Sequence, residues 1–417
     1  YYLRARYIHN MSQQSKNIKK RLQLGKFKLD TLLEVTKGIN NNLSKDELLS
    51  IYKTVLLDNL KIGKLLLFSF DKKGWTKELC IGTDSNQIDV NIDLLDIKEI
   101  EVLSDNTNKN LRPFDVIVPV FHKKEPLAYL LLGDFDGEKI EVSPIIKHLT
   151  FVQTLTNVII VAVENKRLFN ENLEKIVIEK EMELASQMQA MLFPKNLPNN
   201  DEIEVSASYN PHQLVGGDYY DFIELNRDEI AFCIADVSGK GVPAALLMSN
   251  FQASLRVLIK RTTSLSELVI ELNKNILANA NREKFITAFI GKYNLQTRNL
   301  QYINAGHNPP LLLVGHQFQH LIDGCTILGM FENLPSVTEK NLTIPRDSIL
   351  TCYTDGVVEQ PNTGNEEFGM KKLENTLLLN KEESTKNILS SITEQLIEFK
   401  KEVEFKDDIA LMCLRIK

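Results

Sequence analysis

The C-terminal half of the chain places acidic side chains beside glycines at the ends of apolar segments. Four clusters share this arrangement: Val215-Gly216-Gly217-Asp218-Tyr219-Tyr220-Asp221, Ile234-Ala235-Asp236-Val237-Ser238-Gly239-Lys240-Gly241, Tyr353-Thr354-Asp355-Gly356-Val357 and Lys406-Asp407-Asp408-Ile409-Ala410-Leu411. An ionised carboxylate at the end of a buried strand is costly unless it is paired or bound to a cation. No set of Lys or Arg residues is spaced to neutralise these groups, whereas all-oxygen ligation suits Mg²⁺ or Mn²⁺. The clusters therefore predict a divalent-metal site where several carboxylates converge.

Two other local patterns do not indicate a second kind of functional site. Gly239-Lys240 is not a nucleotide-binding loop, because Ile234 stands where the first glycine of that motif belongs and Gly241 follows the lysine. His307 lies in a fifth cluster, among Gly and Pro residues, and is predicted to be a structural loop residue. A general acid or a metal ligand is the alternative for this histidine.

The composition is typical of a soluble globular protein without a basic surface. The 417 residues are 43% hydrophobic and 25% charged, and the formal net charge is -6. Because phosphate backbones attract basic surfaces, this charge argues against a nucleic-acid partner. The five cysteines form no C-x-x-C pair, which indicates a cytoplasmic location. The basic and aromatic start of the chain leaves open a membrane tether through sequence upstream of Tyr1.

Hydrophobic periodicity divides the chain into four parts. These are a basic N-terminal segment (1–21), an α/β unit (22–165), a helical linker (166–194) and an α+β domain with antiparallel sheets (195–417). The order helix, strands, helix in the second part resembles a GAF sensor domain, and its last helix is predicted to begin at Ser143 and Pro144. The strands predicted in the last part are 203–209, 229–235, 285–293, 300–304, 348–353 and 409–416.

The linker is predicted to be part of one long helix that pairs with a second copy. No Pro or Gly occurs from Ile145 to Phe193. Four apolar residues fall on one heptad seam, interrupted by Lys180 and Gln187: Leu173, Val177, Leu184 and Met191. A long helix with a polar surface is usually held by a partner helix, so a parallel homodimer through a coiled coil is expected. A single helix that lies on one of the domains is the alternative.

Taken in order, the five clusters resemble the PPM-type (type 2C) serine/threonine protein phosphatases, in the branch of the sporulation stage II E phosphatase. The matching segments are G-G-D-Y-Y-D, D-V-S-G-K-G-V-P-A-A, N-A-G-H-N-P-P, Y-T-D-G-V and D-D-I-A-L. The resemblance covers residues 195–417, and the seven residues from Met188 to Pro194 resemble the helix that leads into this branch. It implies two packed antiparallel sheets, a β-sandwich, flanked by helices.

The resemblance assigns the acidic side chains to a site for two Mn²⁺ or Mg²⁺ ions. The implied ligands are Asp218, Asp236, the carbonyl group of Val237, Asp355, Asp407 and Asp408; the aspartates other than Asp408 are the implied catalytic residues. Asp236 matches the ligand that bridges the two ions, and Asp407 aligns better than Asp408 with the last ligand of the family. Eukaryotic members also carry an Arg near the first cluster. The nearest Arg here is Arg227, so phosphate binding is expected to fall to the metals, backbone groups or the partner protein.

The implied reaction is hydrolysis of phosphoserine or phosphothreonine on a partner protein. A water between two cations loses a proton near neutral pH and attacks phosphorus in line, so no phosphoenzyme is needed. The resemblance also implies a partner-switching regulator that acts on an anti-sigma-factor antagonist and is controlled by a small-molecule or protein input at the GAF-like domain. A catalytically weak dimeric scaffold and a two-metal phosphohydrolase for small phosphate esters are the alternatives.

Overall fold

The computed structural model describes residues 2–71, 74–83, 88–103, 108–133, 148–280 and 283–417. Contacts divide the chain into two units, Tyr1–Lys175 and Ile176–Lys417, each with its own hydrophobic core. Within the described residues, no helix is both long enough and apolar enough to cross a bilayer. The helix start predicted at Ser143 and Pro144 lies outside the described residues.

The N-terminal unit is built on one antiparallel sheet. Its strands are β1 (Lys64–Asp71), β2 (Gly74–Ile81), β3 (Glu101–Val102), β4 (Val116–His122) and β5 (Glu125–Gly133), in the order β2-β1-β5-β4-β3. The helices are α1 (Tyr2–Asn40), α2 (Lys45–Thr54), which continues as a π-helical turn (Val55–Asn59), α3 (Val90–Asp93) and α4 (Leu149–Ala190). Because side chains alternate along a strand, Leu65 and Leu67 pack with α2 and α4, while Leu66 and Phe68 pack with α3.

The C-terminal unit consists of two mainly antiparallel sheets with helices outside. The first sheet contains β7 (Tyr219–Glu224), β8 (Glu229–Val237), β9 (Ile286–Asn294), β10 (Asn299–Ala305) and β13 (Gly324–Cys325), with β14 (Lys340–Thr343) beside β10. The second contains β6 (Ile203–Asn210), β11 (Leu311–Val314), β12 (Gln317–His320), β15 (Ser348–Tyr353) and β16 (Ile409–Ile416). The helices are α5 (Val242–Leu258), α6 (Leu265–Ala280), α7 (Asp355–Val358), α8 (Gly369–Leu379) and α9 (Thr385–Lys400).

The second sheet contributes its two faces to two different cores. Leu350 and Met412 join the core that also contains Phe232 of the first sheet. The neighbouring residues along the same strands, Ile349 and Leu411, pack instead with residues of α8 and α9. This alternation buries both faces of the sheet and produces two packed sheets with helices outside. The prediction of an α+β domain with antiparallel sheets is therefore confirmed.

The helix α4 ends at Ala190, three residues before the predicted end at Phe193. Pro194 has no N–H group and disfavours helical backbone at the residue before it, which explains the earlier end. The N–H of Leu192 bonds instead to the carbonyl of Gln189 at 2.9 Å, which tightens the last turn. Phe193 leaves the helix and is buried, with its ring centroid 4.8 Å from that of Tyr209.

Candidate metal centre

The strand pairing brings the predicted acidic residues to one end of the two sheets. The strands β7 and β8 are antiparallel neighbours, so Asp218, just before β7, lies at the same end as Asp236 near the end of β8. The strands β15 and β16 are also antiparallel neighbours. They place Asp355, just after β15, at the same end as Asp407 and Asp408, just before β16. The two sheets therefore each supply carboxylates to a single cluster.

Burial and mutual repulsion dominate the electrostatics of this cluster. Burial raises the pKa of Asp218 well above its ordinary value of 3.8, and the charges of Asp236 and Asp408 raise it further. Burial also raises the pKa of Asp236 to about 7, with a contribution from the charge of Asp355. The pKa of Asp355 is raised by burial and then by the charge of Asp407. Without a cation, the ionised cluster is therefore destabilising.

Two buried oxygen atoms in this region have no hydrogen-bond partner among the described residues: Oδ2 of Asp218 and the hydroxyl of Tyr209. Because buried polar groups are almost always satisfied, these atoms mark a place for a further group. The available ligands are all oxygen atoms, as Mg²⁺ and Mn²⁺ prefer. In the described part of the chain, no three His, Cys, Asp or Glu side chains are arranged so that they could hold a metal ion by themselves. Mg²⁺ keeps several water ligands and needs only one or two carboxylates, so the residues present fit such a cation.

Two glycines allow the backbone to approach the cluster closely. A Cβ on Gly217 would stand 2.8 Å from the carbonyl oxygen of Val237, the predicted backbone ligand. A Cβ on Gly216 would stand 2.1 Å from Oδ2 of Asp408 and 2.2 Å from the hydroxyl of Tyr209. Both positions therefore exclude a side chain, and the glycines keep the loop before Asp218 against the other elements of the cluster.

Asp407 and Asp408 differ in what holds their carboxylates. Asp408 is buried, and its two oxygens accept hydrogen bonds at 2.7 Å from the backbone N–H groups of His212 and Gly217. Oδ2 of Asp407 lies 2.8 Å from Nζ of Lys240, and these two side chains are 36% and 37% exposed. An exposed ion pair is weak, so Asp407 can exchange Lys240 for a metal ion at little cost. Asp408 would have to weaken its hold on the loop, which favours Asp407 as the metal ligand.

Asp221 and His307 have structural partners in the core. The carboxylate of Asp221 accepts hydrogen bonds from Nε and Nη2 of Arg256, at 2.7 and 2.8 Å, and another from the hydroxyl of Tyr219. His307 is buried, and its Nδ1 lies 2.9 Å from Oγ1 of Thr287. Burial lowers the pKa of His307 to about 4, so its ring is neutral near pH 7.

Two further residues touch the cluster and were missed by the sequence analysis. Gln189, in the last turn of α4, is buried, and its side-chain amide bonds to both the N–H and the carbonyl of Gly216. Tyr209, near the end of β6, places its hydroxyl beside the same glycine. Neither belongs to an Asp-Gly cluster. The only available signal was that Gln189 lies in the segment before Pro194 that resembles the family.

The raised pKa values predict that the folding stability of the metal-free protein depends on pH. The folded pKa values of Asp218 and Asp236 lie above the ordinary value of 3.8, so the folded state binds more protons than the unfolded state between about pH 4 and pH 7. Stability from these groups therefore decreases as the pH rises through this window. In excess chelator, we expect Tm to be lower at about pH 7 than at about pH 5, and Mn²⁺ to raise Tm more at the higher pH. A cation effect that is larger at the lower pH would contradict this expectation.

The C-terminal part of the chain matches a known family model, and a larger part of the chain matches two known proteins. Residues 226–417 match the family model described as Stage II sporulation protein E (SpoIIE), a range that includes Asp236, Asp355 and Asp407 but begins after Asp218. Protein IcfG of Synechocystis sp. is 30% identical over 278 residues, which are 60% of this chain and 43% of IcfG. The phosphoserine phosphatase RsbU of Bacillus subtilis is 28% identical over 250 residues, which are 58% of this chain and 71% of RsbU. The chain thus spans less than half of IcfG and most of RsbU.

A solved structure supports the same assignment for the fold. The SiaA PP2C domain of Pseudomonas aeruginosa superposes with a TM-score of 0.53 at 18% sequence identity, over 58% of this chain and 99% of that domain. At this identity the similarity shows the fold alone. Together, the family match over residues 226–417, the relatives and the two-sheet fold show that the C-terminal part of the chain is similar to SpoIIE-type PP2C phosphatase domains.

Proposed function

We propose that this protein is a metal-dependent phosphatase that hydrolyses phosphoserine or phosphothreonine on a partner protein. The observation that carries the proposal is that Asp218, Asp236, Asp355, Asp407 and Asp408 lie at one end of a PP2C-type pair of sheets, where Oδ2 of Asp218 is buried without a partner among the described residues. The similarity to RsbU, a phosphoserine phosphatase, supports a phosphoserine substrate. The family resemblance supports a partner-switching role, in which the substrate is an anti-sigma-factor antagonist.

Each side chain of the cluster has its own task in this proposal. Asp218, Asp236, Asp355 and Asp407, with the carbonyl of Val237, would hold two Mn²⁺ or Mg²⁺ ions. When bound, such ions lower the pKa of a water and offset the negative charge of a phosphoryl group. The charge of Asp236 interacts with those of Asp218 and Asp355, which suits a ligand shared by both ions. The carboxylate of Asp408 instead fixes the loop that leads to Asp218.

A comparison of substrates tests the proposal against its alternatives. The full chain is incubated with Mn²⁺, or with excess chelator, and released phosphate is measured from a phosphoserine protein and from a nucleotide. We expect Mn²⁺-dependent release from the phosphoserine protein that far exceeds release from the nucleotide. A scaffold would release phosphate from neither substrate, and an enzyme for small phosphate esters would prefer the nucleotide. Full turnover in excess chelator would contradict the metal mechanism.

We assign a sensor role to the N-terminal unit, in line with its GAF-like order of elements. A cavity of about 330 Å³ lies between α2, the β1–β2 hairpin and α4. Its lining includes the apolar side chains of Leu49, Phe70 and Val163. Lys45 and Glu78 also line the cavity and form an ion pair, with 2.6 Å between Nζ and Oε1. An apolar cavity with a few polar groups is typical of a small-molecule site, which supports a small-molecule input.

We also infer a parallel homodimer through α4. Leu173, Val177 and Leu184 are 46%, 57% and 59% exposed in the single chain, and they fall on one heptad seam. A second copy of the helix would cover this apolar stripe, and burial of each such side chain contributes on the order of 1 kcal/mol.

Charges on the seam should dissociate this dimer. We expect the parent chain to be a dimer in light scattering at tens of micromolar, and Val177→Glu with Leu184→Glu to shift it to a monomer, because two carboxylates would be buried in each helix. The matched control is Ile178→Glu with Ala185→Glu, which adds the same charges at the same spacing one position further along the helix. A monomeric parent, or equal dissociation by both variants, would contradict the seam.

A further inference from the structure

We propose that Gln189 is a positioning residue of the metal centre, and that it fixes the loop before Asp218 to the last turn of α4. Nε2 of Gln189 donates to the carbonyl of Gly216 at 2.7 Å, and its Oε1 accepts from the N–H of the same residue at 3.2 Å. The side chain of Gln189 is buried, so water does not compete for these hydrogen bonds. The inference deepens the proposed function and rests on it.

Gly216, which Gln189 contacts, lies two residues before the predicted metal ligand Asp218. Gly216 is held by Gln189, and Gly217 donates its N–H to Asp408 and lies against the carbonyl of Val237. Asp218 comes next in the chain. Because Gly216 and Gly217 have no room for side chains, these two residues are held in place through their backbone groups. Loss of one of these backbone contacts should therefore displace Asp218 relative to the ligands of the other strands.

The helix side of the contact is also fixed. The carbonyl of Gln189 accepts the N–H of Leu192, and the ring of Phe193 is buried against those of Tyr209 and Tyr220, with centroids 4.8 and 4.9 Å away. The end of α4 therefore adjoins the cluster through an amide on one side and an aromatic contact on the other. A movement of this helix end would be transmitted to the loop before Asp218.

Few side chains can replace Gln189 in this geometry. Its amide offers one donor and one acceptor side by side, as the backbone N–H and carbonyl of one residue require. A glutamate has the same length but only acceptors near pH 7, so its charge would face the carbonyl of Gly216. An alanine would leave both backbone groups of Gly216 buried without partners, which costs more than the loss of an average hydrogen bond.

The test compares Gln189→Ala and Gln189→Glu in the full chain with Gln317→Ala and Gln317→Glu. Gln317 is an exposed glutamine on the edge strand β12, away from the seam of α4, and provides the matched control. Free Mn²⁺ is titrated by electron paramagnetic resonance, and backbone hydrogen exchange of residues 213–218 is measured without metal. We expect both Gln189 variants to bind Mn²⁺ about tenfold more weakly and to exchange this segment faster, with the Gln317 variants like the parent. The lost turnover should return at high Mn²⁺, because the ligands themselves are intact.

The outcomes distinguish a positioning role of Gln189 from a general contribution to folding stability. Parent-like Mn²⁺ affinity and exchange in Gln189→Ala would overturn the proposal, even with a lower Tm, because Gln189 would then support only the fold. If Gln189→Ala does not fold, Gln189→Glu, which keeps the size of the side chain, decides by the same two measurements. A parent chain that binds Mn²⁺ but releases no phosphate from a phosphoserine protein would refute the proposed function. The Mn²⁺ and exchange results need no substrate and would still decide the role of Gln189.

Discussion

Asp236→Asn is expected to lower the turnover of a phosphoserine protein roughly a thousandfold and, at the same time, to stabilise the metal-free protein. A site that offsets phosphoryl charge contributes several kcal/mol, and each 1.36 kcal/mol is about a factor of ten in rate. Asparagine keeps the shape of the side chain but removes the charge that a cation needs. The same change relieves the repulsion that Asp236 exerts on Asp218, so Tm in excess chelator should rise near pH 7.

Asp221→Asn is the matched control for this prediction. It makes the same substitution on the adjacent strand, but Asp221 is bound to Arg256 and not to the cluster. The carboxylate is fully buried, whereas the Arg256 side chain is 42% exposed. We therefore expect a loss of about 1–3 kcal/mol of unfolding free energy, with the Mn²⁺ requirement unchanged. The interpretation of Asp236 is wrong if Asp236→Asn keeps turnover within about tenfold of the parent, or if it destabilises the chelated protein.

The long strands of the C-terminal unit could be predicted because their apolar runs carry the signal themselves. The runs 203–209 and 409–416, for example, become β6 (Ile203–Asn210) and β16 (Ile409–Ile416). The strand β7 was not predicted, since Asp221 interrupts its apolar residues. Arg256, 35 residues later, neutralises that charge. The strands β11 to β14 have two to four residues each, too few to show a period.

The sequence also predicted the kind of site, a metal centre, but not every residue that forms it. The types and order of the acidic clusters predict a metal site, because the carboxylates need a cation wherever they meet. The sequence left open whether Asp407 or Asp408 is the ligand, since the answer depends on the N–H of Gly217, 191 residues away. Gln189 was missed for the same reason: its role depends on Gly216, which no periodic pattern connects to it. The residue assignments of the metal site remain predictions until the substitutions are made.

A two-residue insertion after Glu179 should change turnover more than a seven-residue insertion, although it lengthens α4 less. An α-helix turns about 100° per residue, so two residues rotate the following segment by about 200°. Seven residues rotate it by about 700°, which is about 20° short of two full turns and keeps the heptad seam. After the shorter insertion, Leu184 faces away from the side of the helix that carries Leu173 and Val177. If the seam pairs two copies, the shorter insertion must therefore twist the helix or break the pairing.

Twisting of the helix, or loss of the pairing, would displace the end of α4, where Gln189 bonds to Gly216 and Phe193 packs on Tyr209. Through these contacts the displacement would reach the metal centre. Coupling between distant sites is typically 1–3 kcal/mol, so we expect a change in turnover of about tenfold for two residues and much less for seven. Turnover is measured at saturating Mn²⁺, with the oligomeric state of each variant determined by light scattering. Parent-like turnover in both insertions would mean that α4 is only a tether. Equal losses in both would mean that the length of the helix matters and its rotation does not.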